Sequence, residues 1–271
     1  MSNTLAQILA DKRDEVAHAR RQEPLAQIKA RAAETANPRN FFRAVTRPRN
    51  QLRIIAEIKR ASPSAGLIRP DFDPVAIAQA YYKSGAAAIS CLTNTKYFQG
   101  SLAFLAQIKT AVPIPVLQKD FIIDPYQLYQ ARAAGADAVL LIAECLSEAH
   151  LIDMLILATD LKLTTLVEVH EVESLLRVRP HIGFPHPNYT LLGINNRNLK
   201  TMTTDLSHTL RMLEMVENPE VLVAESGIAG PEDVAKLRQA GINRILVGEY
   251  LLRRPDPGAA LRTLLGRPER T

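Results

Sequence analysis

The sequence predicts an eight-stranded (β/α)8 TIM barrel, an α/β fold, preceded by an N-terminal helical extension. Three observations carry this prediction. Eight short, β-prone apolar runs recur along the chain, amphipathic helical segments separate them, and the runs read as almost continuously apolar. Strands of that last kind are covered on both faces, as in parallel sheets. Alternating strands and helices then imply right-handed βαβ units. With eight such units, closure into a barrel removes the exposed edges that an open doubly wound sheet would leave. A flavodoxin-like or Rossmann sheet is the alternative, and the Rossmann form lacks its GxGxxG after the first strand.

Taken in order, Leu5 to Ala33 places apolar residues at helical spacing among many charges, with Pro24 dividing two helices. The stretch ANPRNFFRAVTRPRNQ is rich in Pro, Asn and Arg and reads as a connector. The strands follow: RIIAEIK, AAAISCLT, IPVLQK, AVLLI, TTLVEV, LLGIN, VLVAES and RILVGE. Between them lie helices such as DPVAIAQAYYKSG, SLAFLAQIKTAV, DPYQLYQARAAG, SEAHLIDMLILATDLK and GPEDVAKLRQAG. Several end at Gly, the residue that helix C-termini favour. The turns back to strand fall at Ser84 to Ala86, Ala134 to Ala136 and Ala240 to Ile242. We divide the chain into an extension and connector, residues 1–48, and a catalytic barrel, residues 49–271.

Hydrophobic residues make up 47% of the chain and charged residues 23%, the balance of a globular protein with ample core. The net charge is +5, but the basic residues are scattered and Arg-rich only near the ends, which argues against a nucleic-acid partner. A modest positive field draws a small anionic substrate equally well. Cys91 and Cys145 sit in apolar runs without metal-ligand spacing and read as buried thiols, so neither a disulfide nor a zinc site is expected. There is no basic-then-apolar leader, and no stretch approaches the roughly 20 apolar residues that span a bilayer. The expectation is a cytoplasmic protein with no membrane association.

Barrels of this class carry their reacting groups at the C-terminal strand ends. Here a polar residue closes one apolar run after another. Strand one ends with Glu57 and Lys59, which share a side because they are two apart. Strand three ends with Lys119, strand five with Glu168, strand six with Asn195 and strand seven with Glu225. Any one of these reads equally as a solvated loop residue or half of a structural ion pair. Together, two Lys and three Glu in a barrel mouth form a compensated cluster, since unpaired buried ions cost several kcal/mol each. Gly227 and Gly248, after strands seven and eight, bring backbone N–H groups towards an anion at helix N-termini. Ser62 and Ser64 offer hydroxyls above the same ligand, so a phosphorylated small molecule is the expected partner.

The motifs AEIKRASPSAG, LTNTKYFQGS, VLQKDFIID, LVEVH, LLGINNRNLKT, VAESGI and ILVGEYLL resemble the successive strand-end motifs of the indole-3-glycerol-phosphate synthase family. The resemblance runs from about residue 5 to 265 and includes the extension, which in the family packs across the barrel mouth. It implies cyclisation of 1-(2-carboxyphenylamino)-1-deoxyribulose 5-phosphate with loss of carbon dioxide and water, a step of tryptophan biosynthesis. It implies neither cofactor nor metal, and a monomer. Carried over by position, Lys119 is similar to the acid that protonates the sugar carbonyl oxygen, and Glu168 to the base of the dehydration. Lys59 resembles the partner of the substrate carboxylate and a donor in the later step. Glu57 and Glu225 would keep the lysines charged, and Asn195 would bind sugar hydroxyls or the carboxylate. Ser62, Ser226, Gly227 and Gly248 match phosphate and loop positions. Phe121, Tyr97 and Phe98 resemble the apolar wall for the anilino ring, and Arg197 the residue that positions the loop after strand six. His170 is given no chemistry.

The chain departs from the family pattern at several places. Ala65 stands where many members carry a cation, Asn94 and Thr95 replace acidic residues, Gln118 precedes the lysine, and Glu249 replaces a Ser in some members. Two other readings remain at this level: an isomerase or aldolase barrel acting on another sugar phosphate, and a non-catalytic basic binding protein. The length leaves no room for a second, fused barrel.

Overall fold

The computed structural model describes residues 3–198, 201 and 203–268. Leu199 and Lys200, part of the motif after the sixth strand, lie outside the described residues. Eight strands close the barrel: β1 (Arg53–Ile58), β2 (Ala88–Leu92), β3 (Val116–Lys119), β4 (Ala138–Ile142), β5 (Thr164–Val169), β6 (Thr190–Asn195), β7 (Leu222–Glu225) and β8 (Arg244–Val247). Every neighbouring pair is parallel, and β1 closes the ring by pairing with both β8 and β2. These are the eight runs that the sequence marks as strands. A two-stranded hairpin, Ala61–Ser62 with Gly66–Leu67, rises from the loop after β1.

Three helices precede the barrel: α1 (Asn3–Gln22), α2 (Leu25–Glu34) and α3 (Phe41–Thr46). The last corrects the reading of that stretch as a connector. Asn40 caps α3 by accepting a hydrogen bond from the Arg43 amide, and Phe41 and Val45 bury completely among the inward-facing strand residues. Six residues give too short an apolar pattern to be told from a loop, so packing decides this helix rather than periodicity.

Asp-Pro pairs start the first and third crossover helices, α4 (Pro74–Ser84) and Pro125–Ala133. Asp73 and Asp124 accept hydrogen bonds from first-turn amides, and proline occupies the position whose N–H would have no partner. Gly85, after α4, sits at φ 98°, the left-handed conformation that ends a helix without a Cβ clash. Helices Val172–Val178, Ser207–Met212 and Pro257–Leu264 add to the outer ring beyond those the sequence reading named.

Each strand feeds two cores. Ile54, Ala56 and Ile58 face the helices, while Ile55 joins Leu117, Leu140, Leu166, Leu191, Val223 and Leu246 inside the barrel. This alternation fixes which residue of each strand end turns inward. Cys91 is buried; Cys145, read as buried, is only half-buried because it lies in the turn after β4. No helix among the described residues is long and apolar enough to cross a membrane.

Candidate active site

Two residues beyond each inward-facing apolar residue, the strands reach the mouth. Ile55 leads to Glu57, Leu117 to Lys119, Leu166 to Glu168, Val223 to Glu225 and Leu246 to Gly248. β6 reaches Asn195 from Leu191 through Gly193, where a side chain would strike the Glu225 carboxylate. Lys59 follows Glu57 one residue past the end of β1. All these groups line one cavity of about 640 Å³ except Glu225, which lies fully buried in its floor against Lys119.

Lys119 Nζ stands at the centre, 2.6 Å from Glu225 Oε2, 3.4 Å from Glu168 Oε2 and 3.6 Å from Glu57 Oε2. Lys59 Nζ lies 2.6 Å from the other oxygen of Glu57. The compensated cluster expected from the strand ends is therefore present. Burial works against the Lys119 charge, but Glu225, Glu168 and Glu57 outweigh it and hold the ammonium well above its ordinary range. Burial would likewise raise Glu57 and Glu168. The two lysines draw Glu57 below its usual value, and Lys119 and His170 do the same for Glu168. Glu225 goes the other way: its burial, reinforced by Glu168 and only partly offset by Lys119, pushes it up to about 8. Glu225 Oε1 and Glu168 Oε2 are both buried without another hydrogen-bond partner, so a proton held on Glu225 and shared with Glu168 satisfies both.

The loops after β1, β6, β7 and β8 form a second, more open region of the cavity. Arg197 donates to Ser64 Oγ at 2.8 Å and stands 3.6 Å from Glu249, so it ties the loop after β6 to those after β1 and β8. Ser62 Oγ accepts from the Ala65 amide. Ser226 and Gly227 follow β7 in consecutive left-handed conformations, φ 64° and 75°. Asn196 holds that turn by donating to the Glu225 and Ser226 carbonyls. The structure corrects one expectation, because Gly227 does not open a helix. The helix here, Pro231–Gln239, is capped by Gly230. Gly248 does cap a short helical turn, Glu249–Leu252, and its lack of a side chain is required: a Cβ there would lie 3.0 Å from Glu57 Cβ. Glu249, one of the departures, pairs with Arg253 at 2.9 Å.

The apolar wall contains Phe98 and Phe121, whose ring centroids are 6.4 Å apart, together with Leu5 and Ile8 of α1. Tyr97 is not part of it. Its hydroxyl donates to Asp11 of α1 outside the cavity, because the helical turn Thr95–Phe98 places neighbouring rings on different sides. Asn94 caps that turn by accepting from the Tyr97 amide.

Some cavity residues escaped the sequence reading. Arg253 and Arg254 line the open end, and only their place one turn beyond the Gly248 loop hinted at it. Asp120, next to Lys119, accepts hydrogen bonds from Thr93 and the Phe121 amide and is 2.9 Å from Lys12 of α1, a lysine only 2% exposed. A lone lysine in a charged helix gives no sign of such burial. His170, left without a role, also lines the cavity and lies between Glu168 and Glu144.

The sequence model of the family described as indole-3-glycerol phosphate synthase matches residues 5–264. The indole-3-glycerol phosphate synthase of Rhodopirellula baltica is 49% identical over 261 residues, covering 96% of this chain and 98% of that protein. The one from Rhodospirillum rubrum is 45% identical over 268 residues, covering 98% and 100%. Among solved structures, 3-hexulose-6-phosphate synthase from Salmonella typhimurium superposes with a TM-score of 0.62 at 15% identity, over 79% of this chain and 97% of that one. The tryptophan synthase alpha subunit of Legionella pneumophila gives 0.59 at 15% identity, over 84% and 98%. Those two share the barrel alone. The family match over nearly the whole length rests on sequence, and by it the chain belongs to the indole-3-glycerol phosphate synthase family.

Proposed function

We propose that this chain closes the indole ring of 1-(2-carboxyphenylamino)-1-deoxyribulose 5-phosphate, releasing carbon dioxide and water, as a decarboxylating lyase of tryptophan biosynthesis. The observation that carries the reading is a charged ammonium, Lys119, set among three Glu carboxyl groups, of which Glu57 and Glu168 are ionised, on the floor of a cavity with one apolar and one cationic wall. Family membership favours this reaction over an isomerase or aldolase.

In this reading the anilino ring lies against Phe98, Phe121, Leu5 and Ile8, and the phosphate lies towards the Ser226–Gly227 turn, Gly248, Ser62 and the arginines. The aryl carbon bearing the carboxylate attacks the sugar carbonyl carbon, and electrons move onto the carbonyl oxygen. Lys119 donates a proton to that oxygen as charge develops. An alkoxide is a stronger base than an amine, so the transfer is favourable even from an ammonium held in its charged form. A positioned donor of this kind contributes roughly 10² to 10⁴ in rate. Carbon dioxide leaves and returns its bonding electrons to the ring. The new hydroxyl then departs as water with a proton from Lys59 or Lys119, while Glu168 takes a proton from the closed five-membered ring. Glu57 orients Lys59, Glu225 orients Lys119, and Asn195 binds the sugar hydroxyls or the carboxylate. Arg197 braces the loops over the substrate.

Residues 1–48 act as a cover and residues 49–271 as the catalytic barrel, a division supported by the contacts of Leu5, Ile8 and Lys12 with the mouth. The working form is a monomer in the cytoplasm. Incubation with the anilino-ribulose phosphate tests the activity: indole fluorescence and carbon dioxide appear in equal amounts if the reading is right, and neither appears if it is wrong.

A further inference from the structure

His170 continues the inward-facing row of β5 two residues beyond Glu168 and is 7% exposed. Its ring faces a carboxylate at each nitrogen: Nδ1 is 3.1 Å from Glu144 Oε2 and Nε2 is 3.2 Å from Glu168 Oε1. Nδ1 is hydrogen-bonded to Glu144, whereas Nε2 stands within ion-pair reach of Glu168 Oε1 without a hydrogen bond to it, so the imidazolium acts on Glu168 through its charge. Glu144, in the turn after β4, also accepts the His170 amide at 2.8 Å, so backbone and ring are gripped by one side chain. Lys119 meets Glu168 at its other oxygen, Oε2.

We infer that His170 is a positioning residue: fixed by Glu144, its imidazolium faces Glu168 Oε1 and, with Lys119 on Oε2, keeps that carboxylate ionised and turned into the cavity. The inference rests on the proposed role of Glu168 as the base of the dehydration. Other charged or titratable groups packed around this unit are Glu225 from β7, Glu57 from β1, Cys145 beside Glu144 in the turn after β4, whose thiol is pushed up to about 12 by burial and by Glu144 and Glu168, and His208, whose ring donates to the His170 carbonyl. Burial opposes the His170 charge, but Glu144 and Glu168 outweigh it and raise the group above its ordinary value.

The sign of the effect follows. Without the imidazolium, Glu168 protonates at higher pH, so the acid limb of the rate profile moves upward. Above the titration of His170 the natural protein also lacks this charge, and the rates converge. The test is kcat/KM across the pH range for His170→Gln and for Glu144→Gln, which loosens the imidazolium without touching Glu168. Loss of a cation at this distance moves the limb by about one pH unit, so His170→Gln should be up to about threefold slower than the natural protein near pH 5, approach about tenfold slower only on the acid side of the Glu168 titration, and match the natural rate near pH 9. Glu144→Gln should move the limb the same way by less. A rate ratio constant with pH, or coincident acid limbs, would overturn the inference. Carbon-13 NMR titration of the Glu168 carboxyl, assigned with Glu168→Gln, needs no turnover. If the natural protein forms no indole product yet the carboxyl titrates higher in His170→Gln, the functional reading fails and the electrostatic role stands. An unchanged carboxyl titration defeats the role itself.

Discussion

Glu225→Gln removes the one site carboxyl whose burial is not outweighed by neighbouring cations, and it does so at nearly constant volume. Glu225 is fully buried and is raised to about 8, against an ordinary value of 4.5. A carboxyl whose folded value is raised binds its proton more tightly in the native state. It therefore costs nothing below its unfolded value, and stability falls as pH rises from about 4.5 towards 8. Taken alone, that interval corresponds to at most about 5 kcal/mol at 1.36 kcal/mol per pH unit. Lys119, at 2.6 Å, and Glu168 share the same proton inventory, so we expect roughly half of it, about 2–3 kcal/mol. Urea unfolding of the natural protein should lose that much between pH 5 and 8.5, and Glu225→Gln should lose clearly less. The same variant should turn over at close to the natural rate below about pH 8, where Glu225 is itself protonated and the amide replaces it, and more slowly above it, where the natural carboxylate faces the Lys119 ammonium. Parallel stability curves for the two proteins would refute the assignment of the proton to Glu225.

Other consequences follow from particular contacts. Gly248→Ala places a Cβ against Glu57, which is pinned by Lys59 at 2.6 Å, so unfolding should cost about 1–3 kcal/mol less and kcat should fall. Lys12→Met leaves Asp120 buried without its cation; broken buried pairs cost about 3–5 kcal/mol, and thermal unfolding should show a lower midpoint together with a reduced kcat. Phe98→Ala should raise KM several-fold by removing an apolar wall, whereas Tyr97→Phe should leave KM unchanged because its hydroxyl serves Asp11. Steady-state kinetics of the two variants decides between these positions.

Most of the barrel was legible in the sequence because its grammar is local. Apolar runs such as AVLLI and TTLVEV, bounded by Asp-Pro starts and Gly stops, specify strand and helix without long-range information. The inward row at the mouth was legible for a related reason: a period of two from Ile55, Leu117, Leu166 and Val223 carries Glu57, Lys119, Glu168 and Glu225 to the same surface. What stayed hidden depends on tertiary contact. The helix Phe41–Thr46 forms because Phe41 and Val45 fill the closed end of the barrel, not because six residues favour it. Lys12 looks solvated until α1 lies against Asp120, and Tyr97 and Phe98 part company only through the geometry of one helical turn. Gly227 sits in a phosphate-like loop motif, yet the helix, read correctly from GPEDVAKLRQAG, starts at Pro231, so Gly227 stands before it in a left-handed turn rather than at its N-terminus. His170 gains meaning only from Glu144, which is distant in sequence and adjacent in space.

The central claim is that the ammonium of Lys119, held charged by Glu57 and Glu168 and placed by Glu225, donates the proton on which ring closure depends. The direct measurement is single-turnover indole fluorescence with the anilino-ribulose phosphate, comparing the natural protein with Lys119→Ala while circular dichroism monitors the fold. The account predicts a folded variant that binds substrate and closes the ring slower by roughly 10² or more. A folded Lys119→Ala protein that closes the ring at the natural rate would contradict it.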